Sequence, residues 1–288
     1  MDIKKALVKT QKKLKDINFI KNPRLEAEFL LSLTFKKERT YILSHQEEIL
    51  NTEQTKSLEL LIDQRLDGQP LAYLSGHKEF YGLEFAVNKH TLVPRPETEL
   101  MVDLVLKLIK PNSKYLILDI GTGSGAISIS LAKQTKNKNI NFIASDISKH
   151  ALSTAKKNAI KHKVTSKILF KLGNLLQPHL TTIKKLPEST GLIICANLPY
   201  LTPKGLENSP GIQKEPKQAL LAGNDGLELY RELVVYIAKH NISATTFLEI
   251  DPSQTNKLKQ VINNDLPESN INIIKDLSKR NRFIRITT

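Results

Sequence analysis

At 288 residues the chain is long enough for about two domains with a substantial core, and 40% apolar with 25% charged residues excludes fibrous, disordered and mini-protein classes. A single cysteine, Cys195, excludes an internal disulfide and a thiolate zinc site, which predicts a reducing compartment and no metal. The 43 basic and 29 acidic side chains give a net charge of +14, a field suited to RNA, a ribosome or an acidic protein, although a Lys- and Asn-rich codon bias accounts for it equally well.

From Ile3 to about Leu66 apolar residues recur at helical spacing (Ile3, Ala6, Leu7, Leu14, then Leu25, Phe29, Leu30, Leu33), interrupted at Asn22-Pro23 and between Ser44 and Thr52. Asn51 or Thr52 reads as a helix start. The N-terminal stretch has no continuous apolar run, so neither a membrane span nor a leader is predicted, and the protein reads as cytoplasmic. After Gly68-Gln69-Pro70 the pattern changes. Phe80 to Asn88 alternates around a Gly turn and predicts a short β-hairpin. The predicted division is 1–75 helical, 76–95 hairpin linker and 96–288 α/β.

Beyond Pro96, strands and helical patterns alternate, the mark of a sheet covered by helices on both faces. Seven strands are predicted: Tyr115 to Ile120, Asn141 to Ser145, Lys167 to Leu172, Leu192 to Ala196, Thr245 to Ile250, Ile271 to Ile274 and Phe283 to Ile286, the last two as an antiparallel pair.

The first strand runs into Asp119-Ile120-Gly121-Thr122-Gly123-Ser124-Gly125, a glycine-rich turn opening an apolar helix. Glycines permit positive φ and let a ligand lie against main-chain N–H groups at a helix start. The compact Gly-x-Gly-x-Gly spacing predicts S-adenosylmethionine in preference to a dinucleotide, and no Gly-Lys-Ser/Thr follows that would mark a triphosphate loop. About 20 residues on, Asp146 ends the second strand where a carboxylate can accept ribose hydroxyls, with an N-cap role as its structural alternative. Asn174 and Leu175, after the third strand, stand where an adenine would lie; a plain Gly-Asn turn is equally consistent.

The fourth strand runs into Asn197-Leu198-Pro199-Tyr200. An Asn at the C-terminal edge of a parallel strand opens onto the ligand crevice, where its amide offers both a donor and an acceptor to a planar NH₂ group. Pro199 stiffens the loop, carbonyls beside it can accept, and Tyr200 can stack on the planar group. No strong base accompanies the loop, so positioning is the predicted source of catalysis.

Taken together, the chain resembles the glutamine N5-methyltransferases of peptide chain release factors (HemK/PrmC type). The resemblance is carried by Gly68 to Gly76, Glu79 to Phe85, Leu92 to Glu99, Asp119 to Gly125, Asp146, the Asn197 tetrad, Glu215 to Leu220 and Asp225-Gly226-Leu227. It implies a helical substrate-recognition domain, a hairpin linker and a Rossmann-like seven-stranded methyltransferase domain acting on the Gln of a Gly-Gly-Gln tripeptide. It also implies cofactor contacts from Asp119, Gly121, Thr122, Gly123, Ser124, Gly125, Asp146, Asn174, Leu175 and Asn197. Catalysis falls to Asn197, Leu198, Pro199 and Tyr200, with Arg95 and Glu97 joining Asn197, Pro199 and Tyr200 on the substrate side. The expected partners are release factors, with ribosome proximity and a monomeric state.

The sequence departs from the family pattern at Leu198, usually Pro, at Asn174, usually Asp, and at Asp251, often Gly. Asn-Leu-Pro-Tyr also occurs in ribosomal RNA adenine dimethyltransferases, whose target would be a flipped adenine, but their helical domain follows the catalytic one. A non-catalytic ribosome-associated module is the remaining alternative.

Overall fold

Helical periodicity in the first 75 residues resolves into α1 (Ile3–Leu14), α2 (Pro23–Phe35), α3 (Arg39–Ser44), α4 (Thr52–Leu66) and α5 (Leu71–Ser75). Each long helix carries its own start signal. Asp2 accepts the Lys5 N–H, Asn22 caps a helix with Pro23 at its first turn, and Asn51 forms a reciprocal capping box with Gln54. Their apolar faces meet in one core built from Ile3, Leu14, Leu30, Leu31, Ile42, Leu58 and Ile62.

Within that core the buried Arg65 holds Glu26 through Nε at 2.6 Å and Nη2 at 3.2 Å, and its guanidinium lies 4.8 Å from the Phe19 ring centroid. Such a pair fixes one packing geometry, because a misplaced partner would leave a buried charge unmatched.

The computed structural model describes residues 1–288, and its contacts divide the chain into two units. The first joins Met1–Gly76 to a distant segment, Leu206–Lys214; the second holds His77–Gly205 and Glu215–Thr288. The segment 206–214, placed with the α/β region by its position in sequence, packs with the helices instead. Lys214 pairs with Asp67 at 2.8 Å, and Gly211 lies so close to Phe19 that a Cβ there would be 3.3 Å from the Phe19 Cβ.

The second unit begins with the hairpin β1 (His77–Phe80) and β2 (Leu83–Ala86), joined through Tyr81 and Gly82, both with left-handed φ. The following helices and strands are α6 (Glu99–Leu108), β3 (Lys114–Ile120), α7 (Ala126–Gln134), β4 (Ile140–Asp146), α8 (Lys149–Lys161), β5 (Ile168–Leu172), α9 (Leu180–Lys184), β6 (Thr190–Ala196), α10 (Pro203–Glu207), α11 (Glu228–Lys239), β7 (Thr245–Glu249), α12 (Thr255–Asp265), β8 (Asn270–Lys275) and β9 (Asn281–Thr287). The hairpin is anchored in this unit. Asn158 of α8 accepts the Ala86 N–H at 2.8 Å and donates to its carbonyl at 3.0 Å, mimicking a strand partner.

The seven predicted strands form one sheet in the order β5-β4-β3-β6-β7-β9-β8, parallel except for β9, which runs antiparallel to both neighbours. Side chains alternate between two cores: Leu116, Leu118, Ile120 and Ile194 face one layer of helices, and Ile117, Ile193, Cys195 and Phe247 the other. Chain order reverses at β3, with β4 on one side and β6 on the other, so the crevice beyond their C-terminal ends is where such a sheet binds ligands. No helix is long and apolar enough to cross a membrane.

Candidate active site

The loop after β3 turns on Gly121, Gly123 and Gly125, all with left-handed φ between 57° and 84°. Gly125 also has no room for a side chain: a Cβ there would lie 2.6 Å from Ile129 Cδ1. Beneath the loop, the buried Asp119 accepts the Thr122 hydroxyl at 2.6 Å and the Ser128 N–H at 3.1 Å. Burial pushes its carboxyl pKa upward, against the pull of these bonds.

Asp146, ending β4, joins the loops of two neighbouring strands. One oxygen accepts the Gly123 N–H at 2.9 Å and the other the Ser148 N–H at 2.8 Å. Ser148, not Asp146, is the N-cap of α8, since its hydroxyl accepts the Ala151 N–H. After β5, Asn174 donates its amide N–H to Glu232 at 3.0 Å, and Leu175 is buried with φ 43°.

Asn197 follows β6 and donates Nδ2 to the Thr98 hydroxyl at 3.0 Å, leaving its carbonyl oxygen as an acceptor. Leu198 packs over Gly121, where its Cδ2 would be 3.2 Å from an added Cβ. The Leu198 carbonyl lies 3.2 Å from the Tyr230 hydroxyl, whose single proton it shares with the Glu249 main-chain carbonyl.

These elements enclose a cavity of about 490 Å³ lined by Gly121, Gly123, Asp146, Asn174, Leu175, Asn197, Leu198 and Pro199. His90 and His150, stacked with centroids 4.5 Å apart, and the segment from Pro216 to Ala222 contribute further wall.

Several predicted residues lie outside that lining. Asp119, Thr122, Ser124 and Gly125 shape the loop from behind. Tyr200 lines a neighbouring hollow of about 370 Å³ with Thr202, Asp225 and Gln254. Its carbonyl is held there by Gln254 Nε2 at 2.8 Å, and burial with the nearby Glu249 pushes its hydroxyl pKa up to about 12. Arg95 pairs with the buried Glu215 at 2.6 Å, Glu215 also accepts the Val93 N–H, and Glu97 is exposed. Thr98, Glu215 and the paired histidines escaped sequence reasoning, although Thr98 and Glu215 each stood inside a recognised block.

Two family models match the chain: the PrmC N-terminal domain over residues 5–76 and a methyltransferase domain over 111–217. The release factor glutamine methyltransferase of Dictyoglomus turgidum is 33% identical over 287 residues, covering 99% of this chain and 98% of that protein. The chain belongs to the release factor glutamine methyltransferase family. Another member, from Buchnera aphidicola, is 37% identical over 90% of this chain and 88% of its own length. A bifunctional methyltransferase of Rickettsia typhi is 36% identical, and the match spans 57% of that longer protein.

Solved structures share the fold at low identity. The hMettl16 catalytic domain superposes with a TM-score of 0.55 at 17% identity, over 72% of this chain and 76% of that one. A human methyltransferase 10 domain containing protein gives 0.51 at 15%, over 72% and 89%.

S-adenosylmethionine is the cofactor of this enzyme class. The residues present fit it: the cavity lies in the size range of small-molecule sites, Gly121, Gly123 and Gly173 bring backbone to its wall, and the same wall carries Asp146, with spare lone pairs, and the apolar Leu175. When bound, the cofactor supplies a methyl group on a sulfonium, an electrophile for a nitrogen acceptor.

Proposed function

We propose that this chain transfers one methyl group from S-adenosylmethionine to the side-chain amide nitrogen (N5) of the glutamine in the Gly-Gly-Gln motif of peptide chain release factors, supporting translation termination. The observation that carries this reading is the placement of the Asn197 amide and the Gly121-Gly123 backbone on the walls of one cavity at the switch point of the sheet. Relatives of nearly full length bear the corresponding name.

In this reading Asp146 accepts the ribose hydroxyls, while Leu175 and the Asn174 carbonyl face the adenine. Asn197 Oδ1 and the Leu198 carbonyl, whose second lone pair is free of Tyr230, accept the two N–H bonds of the substrate amide. Pro199 stiffens the segment between them. Tyr200, Arg95 and Glu97 act from outside the cavity: Tyr200 anchors the end of the tetrad, Arg95 steadies the Glu215 segment, and Glu97 faces the incoming protein.

An amide nitrogen is a weak nucleophile because its lone pair is delocalised. Two acceptors on its hydrogens hold it in one orientation, and alignment of this kind is worth effective molarities of roughly 10⁵ to 10⁸ M. Asp119 and Glu249 stand outside the lining and are not placed to take the proton released after transfer, which we assign to water.

The helical unit recognises the release factor, the enzyme works as a cytoplasmic monomer, and its positive charge favours work close to ribosomes. The test is incubation with labelled methyl donor and either release factor or ribosomal RNA: label in the release factor supports the reading, and label in the RNA refutes it.

A further inference from the structure

Glu249 closes β7 beside the end of β6 and is 1% exposed, yet it belongs neither to the cavity lining nor to any ion pair. Its Oε2 has no hydrogen-bond partner. The Thr98 hydroxyl, which accepts Asn197 Nδ2 at 3.0 Å, also stands close enough to the Glu249 side chain to favour its ionised form. One hydroxyl thus stands between a buried carboxylate and the Asn197 amide on the cavity wall.

We infer that Glu249 and Thr98 are positioning residues that set which end of the Asn197 amide faces the substrate. The inference rests on the function proposed above.

A hydroxyl has one proton. While Glu249 is ionised, that proton points to the carboxylate and Thr98 Oγ1 is left as an acceptor, so only the NH₂ end of Asn197 can face it. Asn197 Oδ1 then stands toward the cavity, ready for a substrate N–H. When Glu249 is protonated it donates to Thr98, whose own proton is released to seek an acceptor. The Asn197 carbonyl can now satisfy it, which turns the NH₂ end toward the substrate amide, donor against donor.

The surroundings make this switch reachable. Arg95 and Arg282 both favour the carboxylate, but each is engaged elsewhere, Arg95 with Glu215 and Arg282 with Asp276 and the Ile250 carbonyl. Glu97 opposes ionisation from the same loop as Thr98. Asp251 follows on the chain, and the phenols of Tyr200 and Tyr230 stand near, Tyr230 donating to the Glu249 main-chain carbonyl. With no ion pair of its own, Glu249 has its pKa pushed up to about 7, burial being the main cause.

Two readouts test the inference. In the free enzyme, the ¹⁵N resonance of the Asn197 side-chain amide should shift with a midpoint near pH 7 and lose that titration in Glu249→Gln; this needs no substrate, so it stands apart from the identity of the methyl acceptor. In steady-state assays on release factor, Thr98→Val should lower kcat by about 10- to 100-fold with unchanged cofactor affinity, and Thr98→Ser should recover to within about threefold. An Asn197 resonance that ignores pH near 7, a titration that persists in Glu249→Gln, a wild-type kcat in Thr98→Val, or a loss in Thr98→Ser as deep as in Thr98→Val would each overturn it. If no release factor is labelled while the resonance titrates as expected, the proposed substrate falls and the positioning device stands.

Discussion

The carboxylate of Asp146 accepts the Gly123 N–H at 2.9 Å, so the end of β4 holds the middle glycine of the loop that follows β3. One side chain thereby shapes the loop and lines the cavity, and its loss has two consequences.

Asp146→Ala should remove both the acceptor for a ribose and the tie to Gly123. Hydrogen bonds to a charged acceptor contribute roughly 1.5 to 3 kcal/mol, so cofactor affinity should fall at least about tenfold. Asp146→Asn, which keeps one acceptor oxygen, should lose less. Titration calorimetry reads both, and near-native affinity in Asp146→Ala would contradict the assignment.

The glycines of the loop should separate by mechanism. Gly123 has positive φ but open space around its Cα, whereas at Gly125 a Cβ would meet Ile129 and Ala155 at 2.6 Å and 3.3 Å. Gly125→Ala therefore carries an overpacking penalty of about 1 to 3 kcal/mol beyond the backbone strain that both share. Thermal melts should place Gly125→Ala clearly below Gly123→Ala; equal melting temperatures would show that Ile129 moves aside freely.

His179 and Glu249 act on acid stability in opposite directions. Burial lowers the His179 pKa from 6.5 to about 4, so the folded state binds fewer protons between those values and stability is lost as pH falls through them, by up to about 3 kcal/mol. Glu249 is raised from 4.5 to about 7, so the folded state binds more protons in that window and acidification relieves a penalty that is full above pH 7. Glu249→Gln removes only the second effect. Relative to wild type, its melting temperature should be higher at pH 8 than at pH 5, and a pH-independent difference would contradict the buried carboxylate.

The seven strands, the glycine loop and the place of Asp146 and Asn197 on the cavity wall were legible because each is announced locally, by apolar runs, by turn chemistry or by position at a strand end. What was not legible depends on contacts between distant residues. Thr98 meets Asn197 across 99 positions, and the Leu92 to Glu99 block around it does not say which of its side chains is the partner. Tyr200 was expected at the acceptor; what its sequence position did not announce is that Gln254 Nε2, 54 positions away, holds its carbonyl at 2.8 Å. Asp119 was assigned to the cofactor; it lies buried under the loop, held by Thr122 and Ser128 and outside the cavity lining.

Segment 206–214 is another such case, and it bears on truncation. Because it packs with the helices, deleting residues 1–76 should leave it without partners such as Asp67 and Phe19. The shortened enzyme should keep cofactor affinity, methylate intact release factor poorly and be cleaved by protease within 206–214. Resistance of that segment, or full activity on release factor, would contradict this account.

The most direct measurement is mass spectrometry of the release-factor peptide after reaction. A primary amide can place both N–H bonds on Asn197 Oδ1 and the Leu198 carbonyl, whereas its methylated product has one N–H left and would strand an acceptor at a cost of about 1 to 3 kcal/mol. The account therefore predicts a single added methyl on the Gly-Gly-Gln glutamine and no dimethyl species; an unmodified peptide beside dimethylated adenines in ribosomal RNA would contradict it.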